Sequence, residues 1–327
     1  MADSLFDFFV RKSSLIVNCI GPFDLYGENV VSACARTGTS YLDITGEIHF
    51  ARRMIELYDA TAKKNHAMIV SFAGFDSVPS DIGVFLMGQE MNKTHSQMVE
   101  SIDLVFKIKG GLNGGTAATA LDAGSKILQR DQKNHHFLSP QKPELQYQEL
   151  YQARYVPYLK KWVAPFFMES INNKVIYRSL ALNGQRSNFY SPHFTYRESI
   201  RVPWGRPGAC VTGYGLGISQ HVLKTSLGRR VASLILPKSG SGPSEKQMAE
   251  GFFEAMFIAT GTQGKVLVRR MTSEGDPGNI STVKLLLACI RTMMRDDFEP
   301  KGGLLTPAVA FGSWILPALQ ESGINWQ

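Results

Sequence analysis

Cysteine is scarce in this chain of 327 residues, with four, at Cys19, Cys34, Cys210 and Cys289. No two form a CxxC pair and no histidine lies at ligand spacing from them, so a disulfide framework and a zinc site both lack their signature. Cys19 and Cys34 lie in apolar, strand-like and helix-like stretches, which predicts buried thiols in a reducing compartment. Long apolar runs are missing as well. The best candidates, VTGYGLGISQHVL and KLLLACIRTMM, are shorter or more polar than the roughly 18 to 20 residues of a membrane-spanning helix. The start, MADSLFDFFVRKSS, places two aspartates before its first basic residue and has no small-residue cleavage site, so neither a signal nor a transit peptide is expected. No G-x-S-x-G elbow, Walker loop or HExxH motif occurs, and the seven histidines form no triad or metal set. Hydrolase and metalloenzyme chemistry have no starting point here, and no metal is expected.

Negative charge is short in one region only. The net charge is +7, yet residues 151–270 hold 17 Lys and Arg against 5 Asp and Glu, so the basic surplus is local. The same region is rich in Tyr, Phe and Trp. Such a mixture suits an anionic membrane surface or a phosphate-bearing ligand, and equally a solvated basic face over an aromatic core. The basic residues are dispersed and accompany no recognition motif, so a nucleic acid is not an expected partner.

What is present is alternation. SLIVNCI is a short, nearly continuous apolar run suited to a strand covered on both faces, and Gly21-Pro22 ends it. ENVVSACART sets Val30, Val31, Cys34 and Ala35 on one helical stripe with Gly38 as the stop. TSYLDIT and AMIVSFA predict two further strands with the helix HFARRMIELYDATAKKNH between them, and FDSVPSDIGVFLMGQEM predicts another helix. These are consecutive βαβ units, and the fold class is α/β, an incomplete Rossmann-type parallel sheet plus a second α+β domain.

The pattern changes near residue 97. MVESIDLVFKIKG reads as a long strand and GGTAATALDAGSKIL as a small-residue helix. NKVIYRSLALNG and FTYRESIRV read as antiparallel strands, HVLKTSLGRRVASLIL as a helix and PKSGSGPS as a linker. EKQMAEGFFEAMFIATG is helical or ambiguous, GKVLVRRMTS a strand, and NISTVKLLLACIRTMMRD an amphipathic helix after the turn GDPG. The expected division is residues 1–92 as part of a dinucleotide-binding domain, 93–275 as an α+β substrate or oligomerisation domain, and 276–327 as helices packing back on the first part.

Three stretches in order, NCIGPFDLYGE, YLDITGE and GFDSVPSDIG, resemble the saccharopine dehydrogenase-like oxidoreductases, including the trans-acting enoyl reductases. GGTAATAL, PKSGSGPSEKQ, GDPG and GGLLTPAVAFG continue the resemblance over nearly the whole chain. It implies NAD or NADP as cofactor. Members of that family begin with a strand and a GxxGxxG-type loop, which this sequence does not show, so the chain is expected to start inside the Rossmann domain. The loop is what cradles the cofactor pyrophosphate. Weak or absent NAD(P) binding is therefore expected of this chain.

The resemblance places Asn18, Gly21, Pro22 and Phe23 at the nicotinamide-ribose end of a cofactor. Glu47, Asp76, Ser77 and Asp81 lie at the ends of the next strands, where they could orient a substrate or move a proton, or simply cap helices. Gly114, Gly115 and Thr116 open a helix whose free amides suit an anion or the nicotinamide carboxamide, and equally suit close helix packing. GDPG is assigned to structure.

Two functions follow as expectations. One is an NAD(P)-dependent oxidoreductase acting on a small-molecule or lipid-linked substrate, in lipid or glycolipid metabolism. The other is a non-catalytic protein on an anionic membrane or lipid-droplet surface, using the basic, apolar region 196–238 as an amphipathic surface helix. Either is expected inside the cell, cytoplasmic or peripheral on a membrane, and a homodimer is compatible with both.

Overall fold

Short apolar strands alternating with amphipathic helices build a parallel sheet first. In the computed structural model, which describes residues 5–111, 136–139, 152–183, 188–235 and 241–327, helix α1 (Leu5–Arg11) leads into β1 (Leu15–Asn18), α2 (Phe23–Tyr26), α3 (Glu28–Thr37), β2 (Ser40–Asp43), α4 (Ile48–Lys64), β3 (Met68–Val70) and α5 (Val78–His95). Gly38 closes α3 in the left-handed conformation at φ +78°, the stop its position predicts.

The second part is a larger mixed sheet. It contains β4 (Val99–Lys109), β5 (Arg154–Val156), β6 (Lys161–Pro165), helix α6 (Glu169–Leu182), β7 (Tyr190–Arg201), α7 (Gly205–Lys224), α8 (Ser226–Ile235), α9 (Glu245–Ala249), β8 (Phe252–Gly261) and β9 (Val266–Glu274). The chain continues through α10 (Thr282–Met293), β10 (Gly303–Leu305), α11 (Pro307–Phe311), α12 (Ile315–Glu321) and β11 (Ile324–Trp326). Strand order is β1-β2-β3-β10 in the parallel sheet and β11-β9-β8-β4-β7-β6-β5 in the mixed one. Residues 303–305 thus return to the first sheet, in parallel register with Met68, Ile69 and Val70.

Helix α5 is the layer between the two sheets. One continuous core runs from Leu42, Met68 and Val70 through Val78, Ile82 and Phe85 to Leu104, Phe106 and Phe257. A second cluster, with Val31, Cys34, Tyr41, Phe50, Met54 and Ile69, covers the other face of the parallel sheet. Strands β2, β3 and β10 are covered on both faces, which explains their continuous rather than alternating hydrophobicity; the edge strand β1, expected to be covered in the same way, leaves Val17 exposed. Each large apolar side chain removed from water contributes about 1.5–3 kcal/mol.

Several sequence expectations need correction. NKVIYRSLALNG is not a strand but the greater part of α6. This helix is buried nearly all round, including Asn172, Asn173, Lys174 and Arg178, so it has no polar face to reveal a 3.6-residue period. FTYRESIRV is the strand β7, yet it pairs parallel with β4 and antiparallel only with β6. The ambiguous stretch after Ser244 splits in two. A capping box between Ser244 and Gln247 starts the short α9, and β8 follows, with most of its residues buried. Cys34 and Cys289 are buried, whereas Cys19 is exposed, because it lies just past the end of β1 in a turn open to solvent. The stretch GGTAATALDAGSKIL lies outside the described residues. Among the described residues no helix is long and apolar enough to cross a membrane.

Candidate functional site

Parallel strands present their carboxyl ends together, so the turns after β1, β2 and β3 open on one edge of the sheet. In the first turn Asn18 is buried; its Nδ2 donates to the Tyr41 hydroxyl at 3.1 Å, and its Oδ1 accepts the Ile20 N–H at 3.0 Å. This local loop leaves Cys19, Ile20 and Gly21 exposed. Pro22 then opens α2.

Glu47, from the second turn, crosses to the first. Its two carboxylate oxygens accept the N–H groups of Phe23 at 2.9 Å and Asp24 at 2.8 Å. These are the first amides of α2, so the carboxylate caps that helix with two charge-assisted bonds.

Asp43 ends β2 and is fully buried. Its Oδ1 accepts the N–H of Thr45 at 3.1 Å and of Phe72 at 3.3 Å, while its Oδ2 accepts the Ser71 hydroxyl at 3.0 Å. Burial lifts its carboxyl to about 6 although these bonds pull it down. The bond to Phe72 helps to hold that residue at φ +66°, a left-handed conformation costly for a bulky side chain. Phe72 packs with Ile48, Ala51 and Val175, so strain, carboxylate and core meet at one strand end.

The third turn carries Asp76, Ser77 and, one helical turn on, Asp81. Ser77 donates to Asn172 Oδ1 at 2.8 Å. Asn172 Nδ2 in turn donates to both oxygens of Glu198 at 3.0 and 3.1 Å, and Glu198 also accepts the hydroxyls of Ser80, at 2.6 Å, and Tyr196. Burial lifts the Glu198 carboxyl to about 7. Asp81 accepts the Ser179 hydroxyl and the Ala308 N–H, at 2.5 and 2.7 Å. It thereby caps α11 from across the fold, and burial lifts its carboxyl to about 7.

Asp76 differs from all of these. Its Oδ2 lies 3.3 Å from where a Cβ on Gly46 would stand, with Ile171 of α6 at 3.9 Å from the same point. No hydrogen bond or ion pair reaches this carboxylate among the described residues, and desolvation alone lifts it to about 6. The structure therefore brings Glu47, Asp76, Ser77 and Asp81 to neighbouring turns, but commits the polar atoms of three of them to the fold. Gly114, Gly115 and Thr116 lie outside the described residues.

The sequence carries matching kinship along nearly its full length. A protein of Mycobacterium tuberculosis named as a trans-acting enoyl reductase is 32% identical over 338 residues, covering 97% of this chain and 80% of that protein. The chain belongs to the trans-acting enoyl reductase family. A Mycobacterium leprae trans-acting enoyl reductase is 30% identical over 342 residues, covering 96% of this chain and 79% of its own length. No protein-family model matches the chain. Among solved structures, the apo saccharopine dehydrogenase (L-Glu forming) of Saccharomyces cerevisiae shares the fold, with a TM-score of 0.53 at 10% identity, covering 98% of this chain and 86% of that one.

Within this trans-acting enoyl reductase family member, sequence reading missed Asp43, Asn172, Tyr196 and Glu198. For two of them a signal existed. Phe194, Tyr196 and Glu198 recur at every second position of FTYRESIRV and share the buried face of β7, so a lone carboxylate stood on an aromatic inward face. Asn172 lies on the helix misread as a strand, and Asp43 inside a motif read only as a strand end.

Proposed function

We propose that this protein is an NAD(P)-dependent oxidoreductase that reduces an enoyl group on a lipid-linked substrate, in lipid or glycolipid metabolism, with Asp76 handling the proton. The names of its relatives support the reaction class, and Asp76 is the observation that carries it: a half-buried carboxylate at the strand ends with no hydrogen-bond or ion-pair partner among the described residues, lifted by desolvation to about 6. A group poised near the working pH is suited to general acid work. A nicotinamide cofactor, when bound, supplies the hydride. The chain's own residues orient the reactants and exclude water, and Asp76 delivers a proton to the carbon next to the activating carbonyl.

The described residues receive the two ends of a dinucleotide differently. At the exposed Gly21 a side chain would meet nothing nearer than the Phe23 ring at 3.7 Å, so a ribose and nicotinamide can approach the backbone beside Asn18 and Pro22. The pyrophosphate has no such reception at this turn, since Glu47 already holds the first amides of α2. That occupancy supports a second reading, a non-catalytic member in which the parallel sheet serves as scaffold.

One experiment separates the readings. The purified chain is titrated with NADH and NADPH, and oxidation of the cofactor is followed with a trans-2-enoyl thioester. The reductase reading requires, against the weak or absent NAD(P) binding expected from the sequence, saturable cofactor binding and turnover, with Asp76→Asn lowering kcat by about a hundred-fold or more at unchanged cofactor affinity. Absence of cofactor binding supports the scaffold.

A further inference from the structure

The Asp76 carboxylate is left without a hydrogen bond among the described residues, yet the residues on either side of it are pinned. The Phe75 N–H donates to Thr282 Oγ1 at 3.3 Å, and the Ser77 hydroxyl donates to Asn172 Oδ1 at 2.8 Å. Both acceptors come from beyond the alternating first part of the chain. Thr282 opens α10, where its own hydroxyl donates to the Pro277 carbonyl at 2.9 Å, and Asn172 lies in α6, 1% exposed. A turn held at both neighbours leaves the residue between them little freedom, which is how a reacting group is kept in place without occupying its polar atoms.

Asn172 can serve Ser77 only one way round. Its Nδ2 faces both oxygens of Glu198 at 3.0 and 3.1 Å and the Ser80 hydroxyl at 3.2 Å, so only Oδ1 is left to accept. The residue before it, Ile171, meets the carboxylate itself. Ile171 packs with Ile48, Phe72 and Val175, and its Cδ1 lies 3.9 Å from the point above Gly46 that is 3.3 Å from Asp76 Oδ2. Charged groups on the adjoining elements are engaged elsewhere: Glu47 by the amides of α2, Asp43 by Thr45, Ser71 and Phe72, Lys174 by the Ser170 carbonyl at 2.6 Å. Asp76 therefore meets an apolar wall and no countercharge, and desolvation is the one cause that moves its carboxyl. We infer that Ile171, Asn172 and Thr282 are positioning residues for proton transfer from Asp76: Asn172 and Thr282 fix the turn that carries the carboxylate, and Ile171 shields its flank from water. The inference rests on the reductase reading and adds to it that the acid is held in place by α6 and α10.

The test has two readouts on the full chain. With aspartate carboxyls labelled with carbon-13, the Asp76 signal, identified by its loss in Asp76→Asn, is titrated by NMR, which needs neither cofactor nor substrate. The wild-type midpoint is expected near 6, and Ile171→Ala is expected to draw it down toward the ordinary 3.8 as water reaches the carboxylate; Ser77→Ala shifts it in the same direction. In enoyl reduction, Ser77→Ala and Thr282→Val are expected to lower kcat about ten- to hundred-fold at unchanged KM for the cofactor, while Thr282→Ser, which keeps the hydroxyl, retains most of the rate. Full turnover in Asp76→Asn overturns the reductase reading and this inference with it. A midpoint unmoved in both Ile171→Ala and Ser77→Ala, wild-type kcat in Ser77→Ala while Asp76→Asn is inactive, or equal losses in Thr282→Val and Thr282→Ser would each overturn this inference alone.

Discussion

Glu198 is where α5, α6 and β7 are joined, and its replacement by Gln tests that junction through pH. Burial lifts its carboxyl from 4.5 to about 7, with Ser80, Tyr196 and Asn172 acting in the opposite direction. A raised folded value means that the folded chain holds the proton more tightly than the unfolded chain. Below 4.5 both states are protonated and nothing is lost; as pH rises the unfolded chain ionises first, and the full penalty is reached once pH passes about 7. A shift of about 2.5 at about 1.4 kcal/mol each gives a loss on the order of 3 kcal/mol across that window. Glu198→Gln cannot ionise. It retains an acceptor for Tyr196 and Ser80 but presents an amide where a carboxylate oxygen stood, a defect of about 1–3 kcal/mol that does not depend on pH. Urea unfolding from about pH 5 to about pH 8 should therefore show the wild-type chain losing stability relative to the variant by about 3 kcal/mol. A stability difference that stays constant over that range would refute the buried, proton-holding role of Glu198.

Further outcomes follow from single contacts. Glu47→Ala removes both acceptors from the first amides of α2 and should cost about 1–2 kcal/mol, with faster hydrogen exchange at Phe23 and Asp24. Gly83→Ala, which in an ordinary helix interior gains up to about 1 kcal/mol, should instead lose about 1–3 kcal/mol or more. The added Cβ would stand 2.1 Å from the Phe257 ring where α5 lies against β8, and thermal unfolding reads the sign.

How much of this was legible beforehand depended on periodicity. From Leu15 to Lys64 short apolar runs alternate with helices that carry a 3.6-residue period, and the strands and helices emerge in the order the sequence predicts; α5, buried without a break from Val78 to Gly88, has no such period. The helix Glu169–Leu182 was illegible because its polar residues are buried. Asn172 faces Glu198, and Arg178 donates to the carbonyls of Leu138 and Leu304 at 2.6 and 2.7 Å. Such partners are tertiary and leave no local pattern. The site shows the same limit. Which residues gather at the strand ends follows from topology, but sequence cannot tell that Glu47 reaches back to α2, that Asp81 caps a helix more than 200 residues away at Ala308, and that Asp76 has no such task. The Phe23, Asp24 and Ala308 amides have ordinary neighbours in sequence, and only the folded chain brings carboxylates to them.

The central claim is that Asp76 is the proton-handling group of a nicotinamide-dependent reductase, and a pH–rate profile of the wild-type chain beside Asp76→Asn tests it most directly. The prediction is enoyl reduction that declines as pH rises through about 6, because an acid must be protonated to act, with that limb missing and kcat far lower in the variant. Turnover and profile unchanged by Asp76→Asn would contradict it.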